Sequence, residues 1–126
     1  MSGMRDGNLQ DCPESPNCVC SDATDPARWI APFSIKGDRR VAWQGLCDCV
    51  RALPRSRIVR QSDEDLHSEV RSRIFGFVDD LEFQLRVQEG VIALRSASRT
   101  GHWDLGVNRR RLERLRRTLR SRGLVD

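Results

Sequence analysis

The chain has 126 residues and a mass of 14.4 kDa, a size that indicates one domain and leaves no room for a second catalytic domain. Hydrophobic residues make up 38% of the sequence, which suffices for a modest core and excludes wholesale disorder. The formal net charge is +4, and 21 of the 22 basic residues are arginine, because Lys36 is the only lysine. This balance suggests acidic partners, although a codon bias of the whole proteome also produces an arginine excess.

The sequence contains no pattern typical of a membrane or secreted protein. Its N-terminus reads MSGMRDGNLQDC, which lacks the apolar region of a secretory signal. No stretch approaches the roughly 18 to 20 consecutive apolar residues of a membrane helix. We therefore expect a cytoplasmic protein without a transmembrane segment.

The first 36 residues predict little regular secondary structure. Residues 1–8 hold two glycines among polar residues and predict a flexible terminus. Residues 9–36, the Pro-rich segment, hold four prolines, and proline fixes its own φ and biases the preceding residue towards extended geometry. We expect this segment to lie extended across the domain. Its predicted anchors are Trp29, Ile30, Phe33 and Ile35.

Two segments carry an apolar stripe at helical spacing. In residues 40–53, apolar side chains recur every three or four positions, and Pro54 ends the pattern. Residues 108–120 predict a second helix, with Asn108 as its N-cap. The stripe of that helix consists of Leu112, Leu115 and Leu119.

Arginines cover the rest of the second helix, which suits an acidic protein surface or another anionic partner. Nucleic acid is not expected as a partner, because aromatic residues make up only 6% of the chain and no nucleic-acid-binding motif occurs. The solvated face of an ordinary helix would show the same pattern.

Residues 56–98 predict an antiparallel sheet. A short strand at residues 56–61 precedes three stretches in which apolar and polar side chains alternate, and the last of these is residues 91–98. Gly76 and Gly90 lie between the stretches and allow tight turns. One face of the predicted meander is therefore apolar and the other is polar.

The first turn predicts which side chains meet across the sheet. If residues 75–76 form a two-residue turn, Arg71 lies opposite Asp80 and Glu69 lies opposite Glu82. Two adjacent carboxyl groups repel each other, so one of the two glutamates would have a raised pKa if water were excluded.

The second turn extends the same polar face. If residues 89–90 form it, Asp80 lies opposite Arg99 and Gln84 lies opposite Arg95. Glu82 then lies diagonal to Arg95. Asp79 is one residue out of phase, so it is predicted on the apolar face as a turn or cap acceptor.

This polar face has two interpretations. It can be a solvated surface that cross-strand pairs stabilise. It can also be an anion-binding or acid/base site, in which arginines orient a carboxylate or phosphate and Asp80 or Glu82 moves protons. The arginines concerned are Arg71, Arg95 and Arg99.

The five cysteines leave three states open. Free or structural thiols fit the odd number, which argues against a complete disulfide framework. Cys12 and Cys18 could form a disulfide. A metal site is not expected, because the spacings do not match zinc knuckles and Cys47 and Cys49 lie about 200° apart on a helix.

Three motifs resemble one known family. They are CPESPNCV from Cys12, GFVDDLEF from Gly76 and RSASRTGHWDLGVNRRRLERLR from Arg95. Together they resemble the bacterial and plastid family catalogued as domain of unknown function, number 1499, and the likeness covers nearly the whole chain. The resemblance implies no established catalytic activity or cofactor, and it implies relatives that are often exported or membrane-associated.

Several residues that match the family pattern lie on the predicted polar face. The matches are Cys12, Pro13, Pro16, Asn17, Cys18, Gly76, Asp79, Asp80, Glu82, Phe83, Arg95, Ser96, Ser98, Arg99, Gly101, Asp104, Gly106, Asn108, Arg109 and Arg111. Departures from the pattern are Cys20, Cys47, Cys49 and Trp103. The overlap favours a functional patch, over which the loop that contains Asp104 could close.

These observations predict one α+β domain over residues 1–126, with a three- or four-stranded antiparallel meander and two helices on its apolar face. We expect a non-enzymatic binding or accessory module that recognises an anionic small molecule or an acidic partner surface, without a cofactor. The candidate ligand contacts are Arg71, Asp80, Glu82, Arg95, Arg99, Asp104, Asn108, Arg109 and Arg111. The alternatives are a small enzyme that uses Asp80 or Glu82, and a structural subunit that the basic C-terminal helix docks in a larger assembly.

Overall fold

The computed structural model describes residues 4–5, 8–12, 17–73, 76–100 and 106–126. Helix α1 spans Arg39–Arg51 and helix α2 spans Val107–Ser121. The strands in chain order are β1 (Met4–Arg5), β2 (Asn8–Leu9), β3 (Cys18–Cys20), β4 (Phe33–Ser34), β5 (Ser56–Gln61), β6 (Asp65–Arg71), β7 (Val78–Arg86) and β8 (Val91–Ser98). The bounds of β5 and β8 agree with the prediction, and both helices differ from it by one or two residues at their ends.

Six strands in the described ranges form one antiparallel sheet in the order β3-β8-β7-β6-β5, with β4 paired to the same strand as β3. The α+β prediction is therefore confirmed, although the sheet is wider than three or four strands. The additional strands β3 and β4 come from the Pro-rich segment, where two or three residues are too few to produce a period-two pattern. Strands β1 and β2 pair with each other in a separate hairpin.

The β6–β7 hairpin has a longer loop than predicted. Four residues, 73–76, separate the last paired backbone groups instead of two. The register therefore shifts by two, and Glu69 lies opposite Asp80. The predicted pairs Arg71–Asp80 and Glu69–Glu82 are wrong for this reason.

The β7–β8 hairpin shows the same shift. Its loop is residues 87–90, and Glu82 rather than Gln84 lies opposite Arg95. A shift of two residues preserves the face on which each side chain lies, because strand side chains alternate with period two. Asp80 and Glu82 therefore keep the polar face that the alternation predicts.

Both helices cover the apolar face of the sheet. Helix α1 buries Leu46 and Val50, and helix α2 buries its predicted stripe of Leu112, Leu115 and Leu119. These side chains form one hydrophobic cluster with the inward-facing residues of the strands. Neither helix is long and apolar enough to cross a membrane, and no other helix occurs in the described ranges.

The Pro-rich segment is anchored to this core by Val19 as well as by three of the four predicted residues. Ile30 and Phe33 are 1% and 0% exposed, and Ile35 packs against the core from a partly buried position. Trp29 is 47% exposed, so its prediction as an anchor is wrong.

The two helices begin in different ways. The Asp38 carboxylate accepts hydrogen bonds from the amides of Arg40 and Val41 and so caps α1. Helix α2 begins after Gly106, whose φ of +79° lies in the left-handed region that favours glycine. The predicted N-cap, Asn108, lies instead within the first turn, where its side chain is completely buried against the sheet.

Candidate functional site

A network of ion pairs occupies the polar face of the sheet, on the side away from the helices. Arg99 Nε lies 2.8 Å from Asp80 Oδ2, and Arg99 Nη2 lies 2.5 Å from Glu69 Oε2. Arg57 Nη2 lies 2.9 Å from the other oxygen of Glu69, and His67 Nε2 lies 2.8 Å from Asp80 Oδ1. Each carboxylate therefore contacts two basic side chains.

These contacts set the charges of the network. Hydrogen bonds from Arg99 and Arg57 hold the pKa of Glu69 below its usual value. Burial would raise the pKa of Asp80, but hydrogen bonds from His67 and Arg99 outweigh burial and hold that pKa far below its usual range. The pKa of Arg99 is raised by its hydrogen bonds to Asp80 and Glu69. The prediction that a Glu69–Glu82 pair raises the pKa of one of its carboxyl groups is therefore wrong for Glu69.

Glu82 and Arg95 form a buried pair on the same face, next to β3. Arg95 Nη1 lies 3.1 Å from Glu82 Oε1, and the Arg95 and Glu82 side chains are 10% and 3% exposed. Arg95 Nε is a buried donor that has no hydrogen-bond partner in the described part of the chain. Each buried charge needs the other as its counter-charge, so the pair fixes both side chains.

Arg71 lies apart from these pairs. It is exposed at the end of β6, and its Nη1 donates to the Gly76 carbonyl oxygen at 3.0 Å. The structure therefore does not place Arg71 beside Asp80.

Asn108 lies on the opposite face of the sheet, between α2 and the strands. Its Oδ1 accepts hydrogen bonds from Ser96 Oγ at 2.6 Å and from Arg111 Nη1 at 2.9 Å. Its Nδ2 donates to Ser98 Oγ and to the Asn17 carbonyl, each at 3.0 Å. The Asn108 side chain therefore links α2 to β8 and to the residue before β3.

Arg111 and Asp79 complete this inner network. Arg111 Nη2 lies 2.9 Å from Asp79 Oδ2. Asp79 is 8% exposed and lies on the helix-covered face, as the alternation predicts. Its partner is a side chain of α2 rather than a turn or a cap.

The two remaining candidate contacts lie elsewhere. Arg109 Nη2 donates to the Ala27 carbonyl of the Pro-rich segment at 3.3 Å. Asp104 lies in residues 101–105, outside the described residues. The candidate contacts in the described ranges are therefore divided between the two faces of the sheet and α2, and they do not form one patch.

A groove lies between the first two turns of α2 and the segment that follows α1, and we call it the α2 groove. It has a volume of about 290 Å³. The residues that line it are Leu53, Pro54, Arg55, Val70, Val107, Arg110, Arg111 and Arg114. Four of these eight residues are arginine, and none of the described lining residues is acidic.

Two other depressions lie beside the start of α1, with volumes of about 360 and 410 Å³. Arg39 and Arg40 line both of them. The first depression also contains Asp63 and Glu64, and the second contains Asp38. Their linings therefore carry charges of both signs, in contrast to the lining of the α2 groove.

Comparison with protein families shows where the chain belongs. A family model described as Protein of unknown function (DUF1499) matches residues 8–119. The chain belongs to this family. No curated protein and no solved structure matches it. In this DUF1499 domain, the matched range includes the ion pairs on both faces of the sheet and the whole α2 groove.

The cysteines of the DUF1499 domain are divided between one disulfide and three free thiols. Cys12 and Cys18 are joined, with an S–S distance of 2.08 Å. Cys20, Cys47 and Cys49 are free and buried. Within the described ranges, no group of three or more histidine, cysteine or acidic side chains could hold a metal ion.

Sequence reasoning missed the α2 groove and the contact of His67 with Asp80. The groove combines residues 53–55, residue 70 and residues 107–114, and no periodic pattern connects these stretches. The spacing of Arg110 and Arg114 does place both on one side of a helix, which was the one available signal. Alternation likewise puts His67 on the face of Asp80, but only the correct register brings the two side chains together.

Proposed function

We propose that this DUF1499 domain is a binding module for an anionic small molecule, which it binds in the α2 groove. The lining of this groove carries the proposal, because it combines four arginines with apolar side chains and no described lining residue is acidic. Guanidinium groups donate paired hydrogen bonds to carboxylates and phosphates, so such a lining attracts an anion.

The arginines of the polar face are less suitable for a ligand. Arg99 already contacts Asp80 and Glu69, and Arg95 already contacts Glu82. An anion would compete with these carboxylates for the guanidinium charges, and a displaced carboxylate would lose its counter-charge on a partly buried surface. We therefore assign these ion pairs to stabilisation of the sheet.

The arginines of the α2 groove differ in the ion pairs and hydrogen bonds that they already make. Arg111 is paired with Asp79, so it contributes a fixed wall but little net charge. Arg114 is exposed and takes part in none of the ion pairs among the described residues. Arg55 Nε donates to the Arg71 carbonyl oxygen at 3.1 Å. This acceptor is uncharged, so the charge of Arg55 stays uncompensated. Arg55 and Arg114 thus supply charge for an incoming anion.

The size and the apolar lining of the groove limit the class of ligand. A volume of about 290 Å³ is just below the usual range for small-molecule sites, roughly 300–1,000 Å³. Leu53, Val70 and Val107 provide the apolar surface. These features favour a compact molecule with one carboxylate or phosphate group and a short apolar portion, and phenyl phosphate is a suitable probe.

Binding is better supported than catalysis. A general base must accept a proton near neutral pH, but the pKa of Asp80 is held far below its usual range. The described lining of the α2 groove contains no acidic, histidine or cysteine side chain that could move a proton. The enzyme alternative thus lacks a base in the groove and lacks an available one at Asp80.

Calorimetric titration with phenyl phosphate, with phenol as the neutral control, tests the proposal. Arg114→Ala removes a charge from the groove, whereas Arg117→Ala removes one from the same side of α2 outside the lining. Loss of one charge-assisted hydrogen bond costs about 1.5–3 kcal/mol, so Arg114→Ala should weaken binding roughly 10- to 150-fold. Arg117→Ala should change it by less than about threefold, because an exposed charge beyond the site is screened by salt. Absence of phenyl phosphate binding to the native protein would refute the proposal.

An acidic protein surface is the second candidate partner, and the exposed side of α2 favours it. Arg110, Arg114 and Arg117 are all exposed, and at 100° per residue they lie within about 60° of one another. A partner that docks along this stripe would depend equally on Arg114 and Arg117. If the two alanine variants lose equal binding affinity, docking along the stripe is favoured over a ligand in the groove.

A further inference from the structure

Three cysteines meet on the polar face of the sheet, beside the N-terminal segment. Cys18 and Cys20 are two residues apart in β3, so their side chains lie on the same face. The Cys12–Cys18 disulfide ties residues 8–12 to this strand. Cys12 also packs against the buried cluster that contains Cys20 and Leu9. A free thiol and a disulfide thus share one small cluster.

The surroundings of Cys20 combine burial with a nearby positive charge. The charged groups around it are Asp11, Asp22, Arg86 and Arg95. Burial, together with the negative charges of Asp22 and Asp11, raises the pKa of Cys20 to about 11, while the charge of Arg95, which lies opposite in β8, acts in the other direction. The Asp22 amide donates to Cys20 Sγ at 3.3 Å, a contact that also favours the thiolate.

We propose that Cys12, Cys18 and Cys20 form a thiol–disulfide exchange site in which Cys12 can be joined to either of the other two. The Cys20 thiolate attacks Sγ of Cys12, so that the Cys12–Cys20 bond forms as the Cys12–Cys18 bond breaks. Cys18 leaves as a thiolate and takes up a proton in place of the one that Cys20 released. The exchange consumes neither oxidant nor reductant, because one disulfide replaces another.

The burial of Cys20 favours this internal reaction over external ones. Cys20 is 0% exposed, so dissolved disulfides reach it slowly, whereas Cys12 packs against the same cluster and its reaction with Cys20 is intramolecular. Arg95 Nε is a buried donor without a partner among the described residues, and Arg95 lies opposite Cys20. The positive charge of Arg95 favours the Cys20 thiolate, as basic groups beside a thiol do.

The exchange gives the site a role towards low-molecular-weight thiols. Cys12 is partly exposed, while Cys18 is 1% exposed, so an external thiolate reaches Cys12 first. Its attack forms a mixed disulfide on Cys12 and releases the Cys18 thiolate. Cys20 can then attack Cys12 and expel the external thiol, which closes the Cys12–Cys20 disulfide. This function is independent of the α2 groove.

A cysteine variant tests the proposal directly. Cys18→Ser removes the native disulfide and leaves four cysteines. After reduction, the folded variant is oxidised with glutathione disulfide, quenched with acid, denatured and alkylated, and its intact mass is measured. The expected product has an internal Cys12–Cys20 disulfide and two alkylated thiols. A product with glutathione on Cys12 and an alkylated Cys20 would overturn the proposal. The control Cys18→Ser/Cys20→Ser should retain glutathione on Cys12.

Trapping in the native protein provides a test that does not depend on how a variant folds. The protein is incubated with an alkylating reagent between pH 8 and pH 10, and the labelled cysteines are located by fragmentation. We expect label on Cys18 to accumulate in molecules that carry the Cys12–Cys20 disulfide. Because the reactive species is the Cys20 thiolate, the rate should rise about tenfold per pH unit in this range. Label on Cys20 with no label on Cys18 would contradict the exchange.

Discussion

Replacement of Asn108 by alanine would remove a buried side chain that hydrogen-bonds α2 to β8 and to the residue before β3. Asn108 is 0% exposed, and four hydrogen bonds satisfy both ends of its amide. Alanine fits a helix well, so the effect of the substitution on α2 itself is small. The expected loss of stability therefore comes from the buried polar groups that lose their partner.

The size of this loss follows from the hydrogen bonds. Each buried bond contributes about 0.5–1.5 kcal/mol net, and bonds that share one side chain do not add fully. The Asn17 carbonyl also accepts from the Ser98 amide at 3.0 Å, so it keeps one partner in the variant. We therefore expect the free energy of unfolding to fall by about 3 kcal/mol. For a domain of this size, that loss lowers Tm by about 12 °C.

Thermal and urea unfolding of Asn108→Ala, followed by circular dichroism, measure the loss. The matched control is Arg109→Ala, because Arg109 is the next residue of α2 and its guanidinium makes a long hydrogen bond of 3.3 Å to the Ala27 carbonyl. We expect the control to change the free energy of unfolding by no more than about 0.5 kcal/mol. If Asn108→Ala lowered Tm by less than about 4 °C, the view that this network stabilises the attachment of α2 would be refuted.

Two further predictions concern the polar face. The folded pKa of Asp80 is depressed, so its stabilisation is present above the unfolded pKa of about 3.9 and is lost as pH falls towards the folded pKa. Asp80→Asn should therefore lower the free energy of unfolding at pH 7, and its difference in free energy from the native protein should shrink at pH 3. If urea unfolding gave the same difference in free energy at both pH values, this prediction would be contradicted. Glu82→Ala leaves Arg95 buried without its counter-charge and should cost about 3–5 kcal/mol, whereas Glu82→Leu with Arg95→Met should recover much of that loss. Equal losses in the single and double variants would show that the uncompensated charge is not the cause.

Periodic features of this domain were predictable from sequence. The leucines of α2 recur at helical spacing, and the alternation in β7 and β8 identifies their buried face, because both patterns are local and long. The face of Asp79 was predictable for the same reason. The partner of Asp79 was not, because Arg111 belongs to a helix whose rotation against the sheet depends on packing.

Features that depend on loop length or on distant segments were not predictable. Glycines at positions 76 and 90 suggest two-residue turns, but both loops have four residues, and this difference alone replaces Glu69–Glu82 by Glu69–Asp80. Strands β3 and β4 form because β8 offers them an open edge, which no local pattern in the Pro-rich segment indicates. The α2 groove depends on the same kind of long-range packing.

The most direct test of a ligand site in the α2 groove is a nuclear magnetic resonance titration of the ¹⁵N-labelled protein with phenyl phosphate. The signals to follow are the backbone amides of Val70 and Val107 and the side-chain Nε–H groups of Arg55 and Arg114. We predict saturable shifts that are concentrated on these four residues and absent with phenol. Shifts centred on Arg99, or shifts spread along α2 that do not saturate, would contradict a ligand site in the groove.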